Sequence, residues 1–442
     1  MEFIPTPEIA HADNAVANEL ELTSSLSVVD RLPVELTSEI FDIYASNHRA
    51  NPLVLGALVE DWLDRSGQLP LEIRLSIPNE VEDSPQVRRL IDIVNQHCGH
   101  WCVLDITFPP FLLVLLNDSA CVSSTIIELI VTAPDCDFNI YTLSKIAPKY
   151  VNLEGPTVNL INFNWTNVTN LTLNSPAVHR LFELILSIPS LRKCRFYFVV
   201  LEDVPYPFHT SNGRVNHAGL ESLEIIFLST IASDIFFRTI AFPNLTHLFA
   251  AGARYELSVD GIAFFLAQEY SKGIKSLCFH ETEFRPKDFL RLIRLASSVE
   301  ELEIIVGEGG FQDFWEEVYY ALKSHLPTTE TPIPAVTEPL LPRLRIFKWS
   351  GLDSFLWKVV PWFLVPLSQD DESRRRPLET VEIICDYEKE NPIPYIDEDV
   401  ISQLAEFEDR VHFSFTIRYS NDQKEVLEDD LLILSREKLG GN

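Results

Sequence analysis

Glycine is scarce in this chain, with 15 residues against 28 prolines in a length of 442. Loops that cradle phosphates need backbone without side chains. Neither of their patterns occurs: there is no G-x-x-x-x-G-K-[ST] and no G-x-G-x-x-G. The nucleophile elbow G-x-S-x-G is missing too. So is the zinc-protease pattern H-E-x-x-H, because His280-Glu281 has no second histidine behind it. Positive charge is also in short supply. Lys and Arg number 35 against 65 Asp and Glu, giving a formal net charge of −30 and a pI near 4.7. Nucleic-acid affinity rests on Lys and Arg displacing counterions, so direct DNA or RNA binding is not expected. The acid excess reads as a solubility device for a chain that is 46% hydrophobic. No apolar run approaches the roughly 18 residues of a membrane span. The strongest, Phe108–Leu116, opens on two prolines and stops at Asn117-Asp118. The start of the chain has Glu2 and no basic region ahead of an apolar core, so no secretory signal is expected.

Seven cysteines, at 98, 102, 121, 136, 194, 278 and 385, follow no framework spacing. An odd, scattered set fits reduced thiols and a cytoplasmic or nuclear protein. The five N-x-S/T sequons, at Asn117, Asn164, Asn167, Asn170 and Asn244, are then not expected to carry glycans. One short cluster, His97-Cys98-Gly99-His100-Trp101-Cys102, holds four possible zinc ligands. A structural zinc site takes two ligand pairs across a longer loop, and no second pair follows. Carboxylate pairs such as Glu300/Glu301 and Asp370/Asp371 follow from an acid-rich composition and assign no acid–base role. The aromatics Phe264, Phe265, Phe311, Phe314 and Trp315 read as core. No catalytic residue, metal ligand or cofactor is expected.

Along the chain, residues 1–25 are polar and acidic and read as a disordered lead-in. From Ser27 to Asn47 an amphipathic helix is expected. Pro33 suits a first turn, Asp30 suits a cap, and Leu36, Ile40, Ile43 and Tyr44 fall on one face. A second, short helix is expected around Leu53–Leu63, closing a helical segment over 26–65.

From residue 71 the period changes. An L-x-x-L-x-L-like frame recurs at Trp101, Ile126, Tyr150, Val168, Leu191, Leu220, Leu245, Ile274, Val299, Leu344 and Leu378. The intervals are 25, 24, 18, 23, 29, 25, 29, 25, 45 and 34 residues. Most lie in or near the span of about 20–29 residues that marks leucine-rich repeats. The two longest hold insertions, LPTTETPIPAVTEPLLP and SQDDESRRRP. Helix-like runs such as HRLFELILSIPS, DIFFRTIAFPN and DFLRLIRLASS precede several of the strands. One strand-plus-helix unit cannot bury its apolar side alone, whereas stacked units share a continuous core. The expected fold is therefore α/β, an irregular leucine-rich-repeat-like solenoid with a parallel sheet over 66–420 and a tail over 421–442. An ordinary α/β domain with similar strand spacing is the alternative.

Leu32-Pro33-Val34-Glu35-Leu36, followed by Ile40-Phe41, resembles the opening of an F-box. The phrase VEDWLDRSGQLPLEIRLSI resembles the segment behind that box in the large F-box family of mushroom-forming fungi. The resemblance covers residues 27–77 by motif and the remainder by layout. It implies a non-catalytic substrate receptor: the F-box helices dock on the Skp subunit of a cullin–RING ubiquitin ligase, and the repeats hold a protein target. Leu32, Pro33, Leu36, Ile40 and Phe41 carry over as Skp-docking contacts, an apolar helical face entering a partner's groove. The box departs from the family pattern. Leu55 to Trp62 fits L-G-x-V-C-x-x-W, yet the same Trp62 also fits the W-L-x-R-S-G phrase. The helix that separates these two anchors in the family is missing. The second reading is accordingly a repeat scaffold whose N-terminal helices only cap the solenoid.

Overall fold

Apolar and polar residues alternate in each repeat of the frame, so each can bury one side as a strand. The computed structural model describes residues 42–44, 52–77, 84–113, 115–116, 126–132, 141–143, 146–154, 161–201, 214–252, 257–280, 284–306, 314–324, 340–352, 355–364, 375–387, 393, 395–420 and 426–440. The chain divides into two units, residues 1–126 and 127–442.

In the first unit, strand β1 (Asp42–Tyr44) precedes helix α1 (Pro52–Ser66), β2 (Leu71–Ser76), α2 (Pro85–Gln96), β3 (Trp101–Thr107) and the one-turn α3 (Pro110–Leu113). β1, β2 and β3 pair in parallel, in that order. Alternation is clean in β2, where Leu71, Ile73 and Leu75 are buried and Glu72 and Arg74 are exposed. The start of α2 is set by its local sequence. Ser84 Oγ accepts from the Val87 N–H at 3.3 Å and Pro85 fills the first position, where no N–H is required. The second expected helix is present as α1. The first one is corrected in part: Ile43 and Tyr44 lie in strand β1, not on a helical face. β-Branched and aromatic residues favour a strand, and β2 offers β1 the hydrogen-bonding groups of its own backbone.

In the second unit the strands are β4 (Glu128–Thr132), β5 (Tyr141–Leu143), β6 (Tyr150–Glu154), β7 (Ile161–Phe163), β8 (Asn170–Asn174), β9 (Lys193–Val199), β10 (Val215–Asn216), β11 (Ser222–Phe227), β12 (Ile240–Ala241), β13 (His247–Gly252), β14 (Ser276–His280), β15 (Glu301–Ile305), β16 (Ile346–Leu352), β17 (Thr380–Tyr387), β18 (His412–Ser420) and β19 (Val426–Asp430). The main sheet runs β4-β6-β8-β9-β11-β13-β14-β15-β16-β17-β18, with every neighbour parallel. β19 ends it antiparallel to β18. β5–β7 and β10–β12 form two small parallel pairs beside it. Helices α4 (Val178–Ser187), α5 (Thr230–Thr239), α6 (Val259–Leu266), α7 (Pro286–Leu295), α8 (Phe314–Ser324), α9 (Val360–Leu364) and α10 (Glu398–Ala405) fall between successive main strands, and α11 (Leu431–Gly440) follows β19. The protein is thus α/β, built from repeating strand–helix units, as in an irregular solenoid.

The frame maps directly onto the core. Its first position, for example Leu191, Leu220, Leu245, Ile274, Val299 and Leu344, is buried just before each strand. Its second and third positions, such as Leu223/Ile225, Leu277/Phe279 and Phe347/Trp349, are buried within the strand and face the helices. At each step the carbonyl of the residue leading into one strand accepts two successive N–H groups of the next. Arg192, Glu221, Thr246, Lys275, Glu300 and Arg345 all do so. Repetition of one backbone pattern keeps the strands in register while the connecting lengths vary. Aromatic rings link the repeats through the core, from Phe182–Phe236 (5.9 Å) and Phe237–Phe265 (5.8 Å) to Trp315–Phe355 (4.9 Å) and Trp357–Phe415 (5.1 Å). Each such ring contributes about 1.5–3 kcal/mol by burial.

Three details differ from the sequence expectation. The repeat placed at Tyr150 is framed two residues earlier. Val151 and Leu153 pair with Leu171 and Leu173, and Pro148 is the buried lead residue, so the uneven intervals around it become 22 and 20. β18 escapes the frame because buried Val411 stands two residues, not three, before Phe413, the register partner of Val381. The residues from 426 onward, read as a tail, form β19 and α11. There Leu431 and Leu432 are buried, and Ser435 Oγ accepts from the Ile396 N–H at 3.0 Å.

Candidate interaction surface

Strand residues of the opposite parity from the core form the face of the sheet that the helices leave open. Register places Lys193, Ser222, His247, Ser276, Glu301 and Ile346 in one row across β9–β16. A second row is Arg195, Glu224, Phe249, Cys278, Glu303 and Lys348. A third, nearer the strand ends, is Ile226, Ala251, His280, Ile305 and Ser350.

Charges on this face and at the strand entries meet across neighbouring repeats. Arg192 lies 3.0 Å from Glu221, and Arg195 lies 3.0 Å from Glu224. Lys275 lies 3.5 Å from Glu300, Lys348 3.2 Å from Glu301, Arg345 2.7 Å from Glu379 and Arg418 2.7 Å from Asp386. Burial works against the Lys348 ammonium, but Glu301, Glu303 and Glu382 outweigh it and its pKa is raised. The Tyr197 hydroxyl, 3.1 Å from Glu224, is pushed up by burial and by that carboxylate. It stays a neutral donor. Exposed pairs of this kind contribute at most about 1 kcal/mol each. They fix lateral register and keep the face polar.

Between Glu224 and Glu303 the face changes character. Ile226, Phe249, Ala251, Cys278, His280 and Ile305 make an uncharged strip at the middle of the row system. Phe249, Ile226, His280 and Ile305 are half-exposed, while Ala251 and Cys278 are buried beneath their neighbours. The Phe249 and His280 rings meet edge to face at 5.8 Å. Burial and Glu303 push the Cys278 thiol far above its usual range, so it is no nucleophile. An apolar centre inside a polar, charge-paired rim is the arrangement of a protein-binding surface. These residues were missed in the sequence because the frame was read for its buried positions. The signal was the apolar residue directly after the third frame position, at Ile226 and Ile305, where the pattern demands a solvent-facing residue.

The expected docking residues Leu32, Pro33, Leu36, Ile40 and Phe41 lie outside the described residues. The His97–Cys102 cluster does not converge. His97 Nε2 turns toward Asp64 at 3.7 Å, Cys98 is buried, and among the described residues no group of three His, Cys, Asp or Glu is placed to hold a metal. Cys98 is disulfide-bonded, which corrects the expectation that all thiols are reduced; Cys102, Cys194, Cys278 and Cys385 form no disulfide. Among the described residues no helix is long and apolar enough to cross a membrane. No protein-family model matches the chain, and no curated protein matches it in sequence.

Proposed function

We propose that this chain is a non-catalytic protein-interaction receptor that holds its partner against the open face of the repeat sheet. The observation that carries this reading is the uncharged strip Ile226–Phe249–His280–Ile305, set between ion-paired strands on a surface long enough for an extended protein contact. Its finer form is a substrate receptor of a Skp–cullin–F-box ubiquitin ligase. Leu32, Pro33, Leu36, Ile40 and Phe41 dock the Skp subunit, and the array binds the target. What supports the finer form is the LPVEL–IF motif ahead of a repeat array. The second reading, a scaffold without ligase function, is favoured by the missing helix of the box and by β1, where the motif's helix was expected to continue.

Co-purification of the folded full-length chain with the Skp subunit separates the two readings. Retention that is lost in a Leu36→Asp/Phe41→Asp variant supports the receptor. No retention overturns ligase docking and leaves the scaffold. Target binding is tested by comparing the proteins captured by the wild type and by Phe249→Asp. An identical set in both would show that the open face is not the binding surface.

A further inference from the structure

We propose that a groove on the helical side of the second unit binds an acidic peptide segment that carries an apolar side chain next to its carboxylates. The groove has a volume of about 490 Å³ and lies among α5, α6 and α7. Ala263, Phe264, Ala267 and Leu295 form its floor, and Arg238, Arg291 and Arg294 line it beside a single acid, Asp260. Phe264 was read as core from the sequence. It is half-exposed here, with the Arg238 guanidinium 5.5 Å and the Arg214 guanidinium 5.3 Å from its ring centre. A chain with 65 acids to 35 bases therefore sets two arginines over one aromatic ring and two more along the groove beside it.

These arginines are held in place. Arg238 Nε donates to both oxygens of Asp234 at 2.9 Å. Asp234 accepts in turn from the Ser258 hydroxyl at 2.8 Å, and Ser258 caps α6 by accepting from the Gly261 N–H at 3.0 Å. Gly261 is required at this point: a Cβ there would stand 2.9 Å from the Asp234 backbone, so α5 and α6 approach too closely for any side chain. Because Nε makes the Asp234 pair, the two terminal amino groups of Arg238 are not used in it. Arg291 likewise gives only NH1 to Asp260, at 2.6 Å. Guanidinium forks held this way match carboxylates in two-point contacts.

The remaining surface narrows the occupant. A net charge of −30 repels dense polyanions such as nucleic acid or an anionic membrane at long range. One or two carboxylates on a peptide incur little of that repulsion and gain the local arginines. The apolar floor then takes a neighbouring aliphatic or aromatic side chain. This groove is on the opposite side of the sheet from the open face, so the two sites are independent.

The test exposes the folded full-length protein to a displayed library of random short peptides. Enriched sequences are expected to place Asp or Glu beside Phe, Leu or Trp. Their affinity should fall about tenfold in Arg291→Gln/Arg294→Gln, in keeping with the loss of two charge-assisted contacts, and should fall with added salt. Ala267→Glu, an exposed position on the floor, should abolish binding with an unchanged melting temperature. Enrichment without acidic residues, no enrichment, or unchanged binding by both variants would overturn the proposal. So would retention of inorganic phosphate or of phosphatidylserine vesicles when peptides are not retained; the former marks a simple anion site and the latter a membrane contact.

Discussion

On the open face of the sheet and at its strand entries, each of Arg192, Arg195, Lys348 and Arg345 has a glutamate of a neighbouring repeat beside it. On the helical side, Arg214 and Arg238 stand over the Phe264 ring, and Arg291 and Arg294 line the same groove; Asp234 pairs with Arg238 and Asp260 with Arg291. The same residue type therefore serves two ends. Where cation and anion alternate between strands, charge is spent on alignment and little field extends outward. Where cations gather on an apolar floor, they outnumber the acids that line the groove with them. A third setting is Arg376, buried and with no acid against it among the described residues: Nε and NH2 donate to the Leu340 carbonyl at 3.1 and 2.9 Å, and NH1 to the Phe363 carbonyl at 3.4 Å. Burial pulls its pKa down to about 10, which still leaves it charged at neutral pH.

Substituting in these settings separates them. Arg376→Ala has the largest expected effect. It strips the Leu340 and Phe363 carbonyls of their donors and leaves a void, and chemical denaturation should report a loss of about 3 kcal/mol. A loss below about 1 kcal/mol would mean that water replaces the guanidinium there. Arg195→Ala on the open face should change stability by less than about 1 kcal/mol. The small loss should shrink further in high salt, and a larger one would show that the ion pairs hold the sheet rather than tune it. The smallest effect is expected in the first unit. Burial lowers the His97 pKa below 6.5, despite the pull of Asp64 in the other direction. The unfolded chain then binds the proton more readily, so stability is full above pH 6.5 and declines as the pH falls through the window just beneath it. Melting temperatures across that range should show the decline in the wild type and less of it in His97→Gln. Equal slopes would assign the pH dependence to other groups.

Much of the fold could be read from the order of residues alone. Eleven frame positions from Trp101 to Leu378 correspond to strands, because a period of two inside a repeat of about 25 residues leaves a chain few ways to bury its apolar side. Helix starts at Ser84-Pro85 and Ser258 were equally local matters of capping. The strands that the frame misjudged are those where spacing slipped: by two residues at Pro148, and by one before Phe413.

The sites belong to the other category. Arg195 and Glu224 are 29 residues apart and Lys348 and Glu301 are 47 apart, so only strand register brings their charges together. Phe264 and Phe265 are adjacent and alike in the sequence. Helix α6 turns one into the core and the other into a groove lined by arginines from α5 and α7. The sequence by itself determined that strands and helices would alternate, since that depends on local period and burial. Which charges cancel, which accumulate and which apolar residues stay at the surface was decided only by packing, because those outcomes depend on neighbours that the chain brings together across whole repeats.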